Sequence, residues 1–559
     1  MRNQLLKTLF RAAGITKLFI FLFFFCFVPL KAQVAPGYYW IGFTDKTGSE
    51  YTIENPEAFL SERSLERRTH HNISITEEDL PVSKVYIDSL KSLGADIHLV
   101  SKWFNGVVIK CNNTALLDSI YRLGFTMQDE NPGTKEIRHV SNYNKVLDTI
   151  SIRSNLDEDS QLTMLNGHLM HKAGFKGKGM LIAVHDGGFT NTNKAAPFGY
   201  LFDNDKILIA RNFTREDESP YDGAYHGTMV LSTIACDTTE YSFPTAPDAD
   251  FLLLRTENTG SEYRIEEYNW LAAAELSDSA GADIINSSLG YSTFTDSDHN
   301  YTYEEMNGTT AVISRAARIA SRKGMIVVTS AGNSYNTSWK YITAPADADS
   351  ILTVGAVYED ELITNFSSRG PSSDGRIKPD VVAMGGYSYV IHPIAGLSQA
   401  SGTSFSSPIT AGMVACLWQA VPYAKSWEVL DAIKQSSDKY NTPDTTYGYG
   451  LPDYWLAKEK LQELYASNYY DITTLNIVPN PINYDAELKI IVPWLTKTTD
   501  ASINVINLMG QRISNTIYPI QTNFNYIPLT EINQNLTPGI YFIQVIIEKR
   551  AYTAKFLKL

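Results

Sequence analysis

The chain has few cysteines, no run of basic residues and, beyond its N-terminal segment, no long apolar stretch. Of four cysteines in 559 residues, Cys26 lies in the N-terminal apolar run. Cys111, Cys236 and Cys416 are too few for a disulfide framework, and the last two fall in apolar contexts that suit buried free thiols. The formal net charge of −14 comes without any Lys/Arg cluster, which excludes nucleic acid as a general partner because phosphate binding needs clustered cations. The Asp-x-Asp-x-Asp-Gly spacing of a dedicated calcium loop is also missing.

What is present is ordinary globular composition, 44% hydrophobic and 19% charged, on a chain long enough for several domains. Residues 1–32 carry Arg2, Lys7, Arg11 and Lys17, no acid, and an apolar run over 18–28. That run is short for a bilayer, so the segment reads as a secretory signal peptide cleaved near Ala32, with a retained anchor as the alternative. Residues 33–130 alternate short elements: strand 38–43, a charged helical stretch 55–68, helix 82–93, strands 96–100 and 106–110, helix 114–123 and strand 126–129. This predicts a small ferredoxin-like α+β module. Residues 131–160 are polar and aperiodic, an expected exposed linker with processing sites.

Over residues 161–466 apolar strands alternate with amphipathic helices, predicting an α/β domain built on a parallel sheet covered on both faces. Strand 180–184 ends at His185-Asp186-Gly187-Gly188, and His226-Gly227-Thr228 opens a helix. Strand 283–286 runs into Ser287-Ser288-Leu289-Gly290, and strand 325–329 into Ser330-Ala331-Gly332-Asn333. Carboxyl ends of such strands are where open α/β sheets build their sites. Gly402-Thr403-Ser404-Phe405-Ser406-Ser407-Pro408 then leads into an apolar helix. Pro408, lacking an N–H, fits the first turn, so the helix is expected to begin close to Ser404. A serine there stands at a positive helix end whose spare N–H donors suit a developing oxyanion. Singly, Ser404 and His226 read as helix caps, Asp186 as a turn former and Asn333 as a loop amide. His185 points to the opposite face of its strand from Asp186 and is not the expected base.

Taken together, Asp186, His226, Asn333 and Ser404 in these contexts resemble the four signatures of the subtilisin family of serine proteases, in that family's order of Asp, His, Ser. Gly174-Phe175-Lys176-Gly177-Lys178-Gly179, Ser288-Leu289-Gly290 and Phe366-Ser367-Ser368-Arg369-Gly370-Pro371 before Lys378-Pro379-Asp380 are similar as well. The resemblance implies a secreted serine endopeptidase, made as an inactive precursor, that acts on protein or peptide substrates and needs no cofactor. Ser404 would be the nucleophile, His226 its base, Asp186 the orienting acid and Asn333 an oxyanion donor. Ser288, Leu289, Gly290, Ala331 and Gly332 would form the substrate-binding walls; they contain no acid, so uncharged, apolar side chains are expected in the first specificity pocket. Residues 33–130 then become an inhibitory propeptide. Two departures stand out. Asp186 is followed by Gly187-Gly188 rather than the commoner Thr-Gly, and the polar loop that often carries calcium is not recognisable after Ala235. The loop 291–306, with Asp296, Asp298, Glu304 and Glu305, is a weak candidate for structural calcium.

After a polar joint at 467–475, residues 476–559 switch to alternating strands and predict a small all-β sandwich. Pro479-Asn480-Pro481, Leu508-Met509-Gly510, Leu536-Thr537-Pro538-Gly539-Ile540-Tyr541 and Ala554-Lys555-Phe556-Leu557-Lys558-Leu559 resemble the C-terminal sorting domain of type IX secretion cargo. That implies a partnership with the type IX secretion machinery. It also implies export through the periplasm of a Gram-negative bacterium to the medium or cell surface, with membrane contact only through export or anchoring. A surface binding protein built on a retired protease scaffold is the reading from a different class; retention of all four site residues opposes it.

Overall fold

The computed structural model describes residues 33–127, 149–151, 159–468, 476–478, 487–492, 499–520, 523–528, 536–547 and 550–558. The signal peptide, most of the 131–160 linker, the 469–475 joint and Pro479-Asn480-Pro481 lie outside the described residues.

The first module is a four-stranded sheet in the order β1-β2-β4-β3, with β1 Gln33–Ala35, β2 Tyr38–Gly42, β3 Asp96–Ser101 and β4 Gly106–Lys110. Helices Lys84–Ser92 and Thr114–Tyr121 give it the expected α+β layout. The expected strand at 126–129 is reduced, among the described residues, to a single bridge between Thr126 and Phe43. A helix at Glu62–His71 is capped by Ser61, whose side chain accepts from the Ser64 N–H, and closes on Asn72 in the left-handed region.

Downstream, β5 (Thr149–Ser151) runs antiparallel to β14 (Gly396–Ser401), with Thr149 opposite Ser401; β14 also pairs with β13 (Ser388–His392). The central domain is a seven-stranded, wholly parallel sheet in the order β12-β11-β10-β9-β6-β8-β7. Its strands are β6 Leu181–Asp186, β7 Ile207–Asn212, β8 Asp250–Arg255, β9 Ile284–Ser287, β10 Ile326–Ser330, β11 Leu352–Val357 and β12 Val381–Met384. β6, β9, β10, β11 and β12 are buried along their whole length, as expected of strands covered on both faces. One apolar core gathers helices His226–Ile234 and Thr403–Ala420; the other gathers Ile265–Ala280 and Val312–Arg322.

The first module packs on that second pair. Trp40 stacks on Tyr268 at 4.9 Å. Glu275 accepts from the Ser101 hydroxyl at 2.5 Å and from the Lys102 and Trp103 N–H groups at 2.8 and 3.0 Å. The fully buried Asp278 receives Arg67 at 2.5 Å, Arg68 at 2.8 Å and Lys102 at 3.3 Å. Burial pushes the Asp278 carboxyl up, but Lys102, Arg67 and Arg68 together hold it below its ordinary value. All three cations belong to the first module.

The C-terminal region is all-β and antiparallel, with sheets β15-β16-β19 and β18-β17-β20-β21. Its strands are β15 Asn476–Val478, β16 Glu487–Val492, β17 Thr499–Asn507, β18 Arg512–Ile520, β19 Asn523–Pro528, β20 Gly539–Ile547 and β21 Arg550–Lys558. β20 alternates buried and half-buried residues, the signature of a sheet with one face on a core. Cys111, Cys236 and Cys416 are buried and form no disulfide, as the apolar contexts of Cys236 and Cys416 predicted.

Candidate active site

Asp186 is the last residue of β6 and fully buried; His226 is the first residue of its helix, with its side chain 25% exposed. The His226 Nδ1 lies 2.8 and 3.0 Å from the two Asp186 carboxylate oxygens. A carboxylate can only accept, so Nδ1 carries the proton and Nε2 is left as the basic nitrogen. Burial pushes the Asp186 carboxyl up, opposed by the His226 ring and by the Gly187 N–H, which donates at 2.7 Å. Replacing the commoner threonine by Gly187 therefore does not disturb the acid. His185, on the other face, packs edge-on against Trp270 at 5.1 Å and sits 3.2 Å from the Ser277 hydroxyl. Burial lowers its pKa to about 3, leaving it neutral and outside the site.

Ser404 is the second residue of the Thr403–Ala420 helix, and Gly402 takes the capping position. Ser404 is thus inside the helix rather than its cap. Pro408 is also deeper than expected, in the second turn and not the first. The Phe405 ring lies 6.0 Å from the His226 ring, so the helix start is beside the base. Asn333 follows β10. Its Oδ1 accepts the Thr403 N–H and hydroxyl, each at 2.8 Å, while the Thr403 hydroxyl accepts the Gly332 N–H at 3.2 Å. These bonds make the NH2 group the donating end of the Asn333 amide. Ser288 reaches Ser404 itself, donating from Oγ to the Ser404 carbonyl at 2.8 Å. Residues from four separate elements therefore meet around one helix start.

The strips Ser288-Leu289-Gly290 and Ala331-Gly332 are tied together by the segment that carries Thr343. Tyr291 and Ala344 exchange backbone bonds of 2.8 and 3.0 Å, and the Thr343 N–H donates to Ala331 at 3.2 Å. A Cβ on Gly290 would come within 2.2 Å of the Thr343 hydroxyl, and one on Gly332, whose φ is +106°, within 2.9 Å. Thr343 thus stands between the strips, 5% exposed, with no hydrogen-bond partner for its hydroxyl among the described residues. Sequence reasoning missed it, since nothing local marks a threonine that acts from a third segment.

Two acids of the 291–306 loop serve the backbone: Asp296 accepts the Asp298 N–H and Glu305 the Thr302 N–H. Among the described residues Glu257, Glu262 and Glu266, all buried, each bring one carboxylate oxygen within 4.8 Å of the others, an arrangement that could hold a cation.

Three family models match this chain. The model of the Subtilase family matches residues 177–450, that of the Peptidase S8 propeptide domain, Bacteroidota, matches 38–145, and that of the Secretion system C-terminal sorting domain matches 476–558. The chain is 28% identical over 341 residues to Serine protease AprX of Bacillus subtilis (strain 168), covering 56% of this chain and 73% of that protein. It is 26% identical over 293 residues to Subtilisin DY of Bacillus licheniformis, covering 52% and 94%. Among solved structures, MycP1 from Mycobacterium smegmatis matches at 20% identity with a TM-score of 0.42, covering 57% of this chain and 89% of that one.

Proposed function

We propose, from the premise that this chain is a subtilase-family peptide hydrolase with an S8 propeptide domain and a C-terminal sorting domain, that it cleaves peptide bonds through Asp186, His226 and Ser404. Ser404 Oγ attacks the scissile carbonyl while His226 Nε2 takes its proton, and Asp186 stabilises the imidazolium that results. The Asn333 NH2 and the Ser404 N–H, which has no partner within its own helix, receive the oxyanion. Collapse of the tetrahedral species passes the proton from His226 to the leaving amine; water then releases the acyl group by the same steps in reverse. Every proton and charge is handled by side chains or backbone, so the reaction as drawn needs no cofactor.

The observation that carries this reading is the paired Asp186–His226 contact beside the start of the Ser404 helix. The substrate lies extended along Ser288-Leu289-Gly290 and Ala331-Gly332 and pairs as an added strand. Thr343 makes the slot between them shallow, which narrows the uncharged, apolar preference expected from the strips to small side chains.

Wild-type protein expressed beside Ser404→Ala tests the proposal. The wild type should shorten itself within residues 130–160 and be labelled by a fluorophosphonate, and the variant should do neither. Identical processing with no labelling would sink it and favour a surface binding protein.

The sorting domain marks the chain for type IX export, as a secreted or surface protein. The finer route, through the periplasm and with removal of residues 1–32, predicts that deleting residues 476–559 traps the protein in the periplasm; unchanged export would refute it.

A further inference from the structure

Pro408 sits inside the Thr403–Ala420 helix four residues after Ser404, where an ordinary residue would donate its N–H to the Ser404 carbonyl. That carbonyl is not left bare. The Ser288 hydroxyl, from the loop after β9, donates to it at 2.8 Å. Behind Ser288 the bonds continue with fixed direction. The Ser407 hydroxyl donates to Asn286 Oδ1 at 2.8 Å, so the Asn286 NH2 is the end that donates into Ser288 Oγ at 3.2 Å. Ser288 has one proton to give, and with Asn286 donating into it that proton goes to Ser404. Asn286, Ser288, Ser404, Ser407 and Pro408 are all buried, so water does not substitute for any of these bonds.

We propose that Ser288 is a positioning residue for the nucleophile: it supplies the hydrogen bond that Pro408 cannot, and so fixes the peptide plane that follows the Ser404 Cα, the atom that carries the side chain. The direction of the Ser404 carbonyl sets that residue's ψ, and hence the frame that carries Oγ towards the base and N–H towards the oxyanion. The same bond ties the nucleophile to a substrate strip, holding the two in register during attack. The inference rests on Ser404 being the nucleophile.

Three variants test it: Ser288→Ala, Pro408→Ala and the double variant, assayed on a peptide substrate in the full-length chain after self-processing. Ser288→Ala should lower kcat about 10- to 100-fold, the scale of a small displacement of a reacting group, with a smaller change in KM. Pro408→Ala alone should stay within about 3-fold, because Ser288 still serves the carbonyl. In the double variant the new N–H at position 408 replaces the lost hydroxyl, and most of the kcat should return. A double variant no faster than Ser288→Ala, or a Ser288→Ala enzyme with wild-type kcat, overturns the proposal. If Ser288→Ala does not accumulate as folded protein, the comparison is read on folded yield: recovery by Pro408→Ala supports the proposal and no recovery overturns it. Wild type that is not labelled by fluorophosphonate defeats the nucleophile assignment instead, whereas labelled wild type without rescue defeats only the role of Ser288.

Discussion

Asn333 and Thr403 meet through two hydrogen bonds to one atom, with the backbone N–H and the hydroxyl of Thr403 both donating to Asn333 Oδ1 at 2.8 Å. The amide is thereby oriented by the residue that precedes Ser404. Asn333→Ala should lower kcat about 10²- to 10³-fold with little change in KM, the cost of an oxyanion donor in subtilisin. Thr403→Val removes the hydroxyl bond but keeps the N–H bond, and should fall between Asn333→Ala and wild type. Steady-state kinetics on one peptide decide both; a Thr403→Val loss larger than that of Asn333→Ala contradicts the orienting role.

Thr343 predicts a change in selectivity rather than in rate. Thr343→Gly should raise kcat/KM for peptides with Leu or Phe before the scissile bond by about 10-fold or more, since a large apolar side chain gains roughly 1.5–3 kcal/mol on burial. Peptides with Ala at that position should be little affected. A profile that keeps its preference for small side chains would place the slot elsewhere.

Asp278 separates the precursor from the mature enzyme. Its cations Arg67, Arg68 and Lys102 all lie in the propeptide, and Arg68 also reaches Asp79 at 3.0 Å. Asp278→Ala leaves buried cations without their counter-charge and should cost the precursor about 3–5 kcal/mol. The same substitution should hardly alter kcat/KM of enzyme freed of its propeptide. Urea unfolding in the Ser404→Ala background measures the first effect and peptide hydrolysis the second; equal losses in both forms would contradict the assignment.

His71 gives the precursor an acid-sensitive contact. From the propeptide helix it packs edge-on against Trp418 at 5.8 Å and lies beside Gly324 and the Ser426 N–H. Burial, with help from His70, Arg67 and Lys425, lowers its pKa to about 3 from the model-peptide value of 6.5. The docked form thus excludes a proton that the undocked form binds. The stabilisation is complete above pH 6.5 and is lost as the pH falls from there towards 3, by at most a factor of about 10 per pH unit. Thermal melting of the Ser404→Ala precursor should therefore fall more steeply with acid than that of the same protein carrying His71→Gln. Parallel curves would show that His71 is not the group responsible.

The residues proposed for catalysis were legible in the sequence because each closes an apolar strand or opens a helix, and such ends are local patterns. Asp186 and Asn333 both follow runs that are buried on two faces. The strands β7, β11 and β12 escaped the reading. β7 opens with the apolar run Ile207-Leu208-Ile209-Ala210 but buries only Asn212 fully, β11 is interrupted by Thr353 and Gly355, and β12 is only four residues long. The grip on Asp278 could not be read, since Arg67 and Asp278 are 211 positions apart and neither carries a local mark. Pro408 was misplaced for a related reason. The rule that confines proline to a first turn assumes that nothing else satisfies the freed carbonyl, and the donor that satisfies it comes from 116 positions away.

The pairing of β5 with β14 bears on how the enzyme is switched on. Thr149 lies opposite Ser401, three residues before Ser404, and the first module reaches Met127 on its own sheet, where the Met127 N–H donates to Gly42. Both ends are therefore moored to the catalytic body, one through Glu275 and Asp278 and the other through the strand that feeds the active-site helix. A cut anywhere between Met127 and Thr149 severs the chain without freeing either piece. A precursor cut in that interval is therefore expected to persist as a stoichiometric complex, with the time to release set by an off-rate rather than by the cut alone.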